Sequence, residues 1–244
     1  MGQIRTEFYL NGINNVPALE TDGEMTDTVV IVLHGSDVSK EINQPDMQRL
    51  EEAGFWSICI DAPHHGERAD GYMDIASRCN PKEQYLMMMS VVHQEAAEVA
   101  ELIKYFKWLG KKVVVLGISM GAYAVFATLM LCKEADLYAS FMGNPDFRFK
   151  ESPTPSMLET SGPADNIEKI FPASLFMVNA GRDEFVNPEG ARSLYERLKP
   201  CYANCPEKLQ YFEYPESGHM MQAEDWFDAW DRFITRVREI DSHS

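Results

Sequence analysis

Apolar and polar positions along this chain fall into two alternating kinds of block. Runs dense in β-branched and aromatic residues at 29–33, 55–61, 113–116, 137–142, 174–180 and 209–214 read as strands buried on both faces. Segments with helical spacing stand between them. Leu86, Met89, Val92, Ala96, Val99, Ile103 and Phe106 recur every three or four residues, which predicts one long helix with a single apolar stripe. Within that pattern Met87, Met88 and Met89 read as core filler. Residues 47–53 and 122–127 read as further helices, and Trp226, Trp230, Phe233, Val237 and Ile240 mark one face of a closing helix. At the start, 6–10 and 15–19 flank Asn11-Gly12, the pattern of an edge hairpin.

Strand and helix alternate throughout, so the expected fold is α/β, a mostly parallel, twisted sheet with helices on both faces. One stretch breaks the rhythm. Residues 143–171 hold Pro145, Pro153, Pro155 and Pro163 among several apolar residues, and they leave a strand at its carboxyl end. A loop this long inside a compact domain is expected to have a function. It is read here as a short cap insertion overhanging the sheet edge, in a chain that otherwise forms a single domain over residues 1–244.

Length and composition keep that picture within bounds. The chain has 244 residues, 45% hydrophobic and 25% charged, the range of an ordinary globular domain. Its net charge of -16 argues against nucleic acid or an anionic membrane surface as a partner. The segment 1–8 has neither an apolar core nor a small-residue cleavage site, and Cys59, Cys79, Cys132, Cys201 and Cys205 do not form an even framework of spaced pairs. A cytoplasmic location is the expectation. Cys201 and Cys205 resemble half of a metal site, but no second pair answers them.

The chemistry concentrates where strands end. Gly117-Ile118-Ser119-Met120-Gly121 follows the apolar run 113–116 and precedes a helix, so Ser119 sits on a sharp strand-to-helix turn of the G-x-S-x-G type. A serine nucleophile needs a base, and the base needs an orienting carboxylate. Asp183 lies just past the run 174–180, with Glu184 beside it as a rival carboxylate. His219 lies just past 209–214, while His34, His64 and His65 end other strands and can line a site without acting as its base. His93, inside the long helix, and His243, in the tail, are expected to be solvated. Two backbone amides are needed for an oxyanion: Met120, after the serine, and Ser36, in the loop after 29–33.

Leu33-His34-Gly35, Asp61-Ala62-Pro63-His64-His65-Gly66, the Gly117–Gly121 turn, Asp183 with Val186, and Gly218-His219 together resemble the α/β-hydrolase superfamily. Within it the chain is similar to compact serine esterases of the dienelactone-hydrolase-like and prolyl-oligopeptidase-like group, from about Asp27 to the final helix. The resemblance implies an α/β-hydrolase fold with a sheet of about eight strands, a Ser119-Asp183-His219 triad and carboxylic ester hydrolysis. Two departures stand out: dienelactone hydrolases use a cysteine where this chain has Ser119, and there is no room here for a propeller domain. The expected activity is hydrolysis of small-molecule, short-acyl esters through an acyl-enzyme, with no metal or organic cofactor. A thioesterase, a small peptidase or amidase, and a non-catalytic ligand-binding module are the alternatives.

Overall fold

The structure, a computed structural model, describes residues 4–10, 13–21, 26–150 and 153–242. Its strands are β1 (Ile4–Leu10), β2 (Ile13–Glu20), β3 (Thr28–Leu33), β4 (Trp56–Ile60), β5 (Lys112–Ile118), β6 (Leu137–Phe141), β7 (Leu175–Ala180) and β8 (Leu209–Tyr214). They form one eight-stranded sheet in the order β1-β2-β4-β3-β5-β6-β7-β8. β1 and β2 pair antiparallel, β2 runs antiparallel to β4, and every later neighbour pair is parallel. The expected hairpin is present, although Asn11 and Gly12 lie outside the described residues.

The helices are α1 (Gln44–Glu52), α2 (Tyr72–Ala76), α3 (Pro81–Trp108), α4 (Met120–Leu131), α5 (Glu189–Leu198) and α6 (Ala223–Ser242). They cover both faces of the sheet, which is why its inner strands are apolar without alternation. In β3, Val29, Ile31 and Leu33 join the core under α3 and α4, while Val30 and Val32 join the core under α1 and α6. α3 begins with a capping box, in which Asn80 Oδ1 accepts from the Glu83 amide at 3.0 Å, followed by Pro81 in the first turn. Its expected stripe is buried from Met89 to Phe106. α5 was not expected, because its charge-rich sequence offers only Ala191, Leu194 and Leu198 to the core.

Segment 143–171 departs from expectation in where it lies. Phe147 is fully buried, stacked on Tyr123 with centroids 5.8 Å apart and edge-on to His93 at 6.0 Å. Tyr85 Oη donates to the Phe147 carbonyl at 2.9 Å. His93, expected in solvent, is half-buried, with Nδ1 2.7 Å from the Met89 carbonyl and Nε2 2.7 Å from Ser161 Oγ. These contacts pin the segment along the flanks of α3 and α4.

Charges buried beside β4 and α3 are absent from any apolar pattern. Lys40 and Asp61 are both fully buried and bond at 2.8 Å, and Lys40 Nζ also reaches Glu67 at 2.7 Å. Arg68 grips Glu98 with two hydrogen bonds of 2.8 and 2.7 Å. One turn earlier on α3, Glu95 is fully buried with neither carboxyl oxygen bonded among the described residues. Burial, and then the neighbouring Glu98 charge, push its pKa up to about 8, against the pull of Arg68.

A carboxyl with a raised folded pKa favours the fold most below the unfolded value of 4.5, and that advantage declines as pH rises to about 8. Glu95→Gln removes the ionisation. Between pH 5 and pH 9, urea unfolding should shift in favour of the variant, relative to the parent, by about 4 kcal/mol. An unchanged difference across that range would mean that Glu95 is hydrated or paired when charged.

Candidate active site

The turn between β5 and α4 is closed by the absence of side chains. A Cβ on Gly117 would lie 2.1 Å from the Gly121 carbonyl oxygen, and one on Gly121 would lie 2.4 Å from that of Leu33. The chain therefore folds back on itself and against β3 at once. Between the two glycines Ser119 takes φ 55°, a left-handed conformation that a non-glycine residue adopts under strain. Its amide still pairs with the Phe141 carbonyl at 2.9 Å, so the strained residue is fastened to the last rung of the sheet.

Two loops on the same edge reach toward it. After β7, Asp183 is buried; its Oδ1 accepts from the Phe185 and Val186 amides at 2.9 and 2.8 Å, which fixes the carboxylate within its own turn. Oδ2 lies 2.7 Å from His219 Nδ1, and His219 Nε2 lies 3.0 Å from Ser119 Oγ. A carboxylate facing Nδ1 places the imidazole proton there, leaving Nε2 to accept from the serine hydroxyl. The loop that carries His219 is tied to α6: Ser217 Oγ donates to Asp225 at 2.6 Å and accepts from the Gln222 amide at 3.0 Å.

Of the carboxylates weighed from sequence, Asp183 is the one joined to the histidine, and Glu184 is exposed. His34 lies behind the site. It is fully buried, with Nδ1 2.7 Å from the Gly35 carbonyl and Nε2 accepting from the Ala62 amide at 3.0 Å. Burial lowers its pKa to about 4, so it is neutral and serves to hold the Gly35 peptide. That peptide abuts the serine, since a Cβ on Gly35 would lie 3.6 Å from Ser119 Cβ. Ser36 and Met120 both line the cavity beside Ser119, and Met120 opens α4, where an amide has no preceding helical carbonyl to bind. His64 pairs with Asp70 at 2.9 Å and stacks on Tyr72, while His65 Nδ1 faces the Pro63 carbonyl at 2.8 Å; neither lines the cavity.

The cavity holds about 820 Å³. Segment 143–171, expected to wall it, contributes none of its described residues to the lining. Its Phe147 instead packs against Tyr85 and Tyr123, which do line the cavity. The walls come instead from the loop and helix after β3, from Tyr85 and Met88 of α3, and from Phe185, Met220, Met221 and Trp226. Met88, read from sequence as core filler, thus faces the cavity, while Met89 beside it is fully buried.

A family model described as Serine aminopeptidase, S33 (Hydrolase_4) matches residues 24–172. The chain belongs to this hydrolase family. It is similar to the candidate esterase YitV of Bacillus subtilis, 22% identical over 233 residues, 83% of this chain and 89% of that one. The crystal structure of TT1662 from Thermus thermophilus superposes with a TM-score of 0.75 at 19% identity, covering 100% of both chains. Esterase Pf2001 of Pyrococcus furiosus superposes at 0.67 with 19% identity, covering 98% of this chain and 92% of its own. The fold is that of the α/β-hydrolases, as the sequence resemblance implied.

The steric closure of the turn is directly testable. Gly121→Ala sets a methyl group against the Leu33 carbonyl at 2.4 Å, and should cost more than about 2 kcal/mol in urea unfolding. A loss below about 0.5 kcal/mol would show that α4 can back away from β3 freely.

Proposed function

We propose that this chain is a serine carboxylesterase working through an acyl-enzyme. The observation that carries the reading is the unbroken run Asp183 Oδ2, His219, Ser119 Oγ, with spacings of 2.7 and 3.0 Å. Ser119 Oγ attacks the ester carbonyl as its proton passes to His219 Nε2, and Asp183 stabilises the imidazolium that results. The oxyanion takes the Ser36 and Met120 amides, the latter at the positive end of α4. His219 then returns the proton to the leaving alcohol; a water enters, and the same residues release the acid in a second round.

Ester chemistry is supported by the relatives named as esterases. A cap formed by residues 143–171 would restrict the site to short acyl groups, but none of its described residues lines the cavity. A cavity of about 820 Å³ is of the size that encloses drug-sized ligands, so the proposed substrates extend beyond butyrate esters. A cytoplasmic location belongs to the same proposal, supported by five cysteines that all remain free thiols.

Ser119→Ala should abolish both ester hydrolysis and covalent labelling by a fluorophosphonate, while Asp183→Asn should cost on the order of 10⁴ in kcat and Glu184→Gln far less. Near-parental turnover in the alanine variant would overturn the reading. With p-nitrophenyl esters of growing acyl length, kcat/KM should keep rising past butyryl, by up to about four-fold per methylene. A maximum at acetyl would restore a tight acyl pocket.

A further inference from the structure

One group in the cavity wall has no task in this reaction. Asp46, in the first turn of α1, is 9% exposed and lines the cavity that holds Ser119. Its carboxylate has no hydrogen-bond or ion-pair partner among the described residues, and the N-cap position of α1 belongs to Asn43. Arg49, the cation nearest in sequence, lies over the rings of Phe227 at 4.8 Å and Trp230 at 5.9 Å. Asn43, in the same wall, directs its amide nitrogen to Cys59 Sγ at 3.4 Å. Among the described residues no lysine or arginine belongs to the lining, so these residues offer a substrate carboxylate or phosphate no counter-charge. Tyr85, Tyr123, Phe185 and Trp226 supply aromatic surface to the same cavity.

We propose that the cavity selects esters bearing an alkylated ammonium group, seated among these aromatic rings with its charge against Asp46. A carboxylate in a mostly apolar wall, attracted by Arg49 but not bonded to it, is costly to keep ionised, and a bound cation offsets that cost. Burial alone pushes the Asp46 pKa up to about 6, against the attraction of Arg49. Aromatic faces attract a cation as well, and most strongly one that brings no hydration shell of its own. A primary ammonium would require acceptors for three donors, and this wall is mostly apolar; a quaternary or tertiary ammonium requires few or none.

This inference rests on the esterase reading, and the test separates the two. The parent protein and Asp46→Asn are assayed with butyrylcholine and with its neutral isostere, in which a tert-butyl group replaces the trimethylammonium. The quantity read is the ratio of kcat/KM values, in which any general loss from the substitution cancels. The parent should favour the cationic ester by about ten-fold or more, and the ratio should fall toward one in Asp46→Asn. Asp46→Ser provides the same reading if the asparagine variant folds poorly. Equal rates in the parent, or a preference that survives both substitutions, overturns the inference while leaving an esterase. If neither ester is turned over while a fluorophosphonate still labels Ser119, the inference also fails and the serine chemistry stands. Loss of labelling in the parent removes the esterase reading itself.

Discussion

Everything at the carboxyl edge of the sheet depends on how closely α4 can approach β3. The Gly121 backbone sits where a single methyl group would strike the Leu33 carbonyl, and this contact holds the start of α4 against the loop that carries Gly35 and Ser36. Ser36 and Met120, from separate parts of the chain, thereby line the same cavity as Ser119. The helix can afford the contact because it is buried on all sides from Met120 to Leu129, so packing of its whole circumference offsets the strain at Ser119.

That strain is not confined to the serine. Asp37, His64, Ser119 and Met142 all take positive φ, at 59°, 64°, 55° and 53°, and each follows a different one of the parallel strands β3, β4, β5 and β6. Three of them, Asp37, Ser119 and Met142, line the cavity. The carboxyl edge of this sheet is where the backbone is least relaxed, and it is also where the hydrogen-bonded run Asp183, His219 and Ser119 stands.

The sheet and the three residues of the hydrogen-bonded run were legible because their signals are local. A buried parallel strand is a run of apolar residues, and a strand-end turn with glycines two positions either side of a serine has few other uses. What escaped was set by packing across the fold. Asp46 and Glu95 look like ordinary polar positions of helices, and only the tertiary structure buries both and leaves neither carboxyl oxygen of Glu95 bonded among the described residues. Met88 and Met89 are neighbours of identical type, yet the helix rotates one toward the cavity and the other into the core. Segment 143–171 is read correctly as irregular but misplaced as a roof, because proline and aromatic content marks a loop without saying which side of the fold its anchors, Phe147 and Ser161, will take it to.

Asp183 divides its two oxygens between different duties. Oδ1 is held by the Phe185 and Val186 amides of its own turn, and only Oδ2 faces His219. The orientation of the acid is thus independent of the imidazole. During the proposed reaction the ring must shift from the serine oxygen toward the leaving oxygen, and a carboxylate oriented by the histidine alone would drift with it. Here the acid is a fixed pivot, so the ring can swing without the negative charge having to reorganise around it.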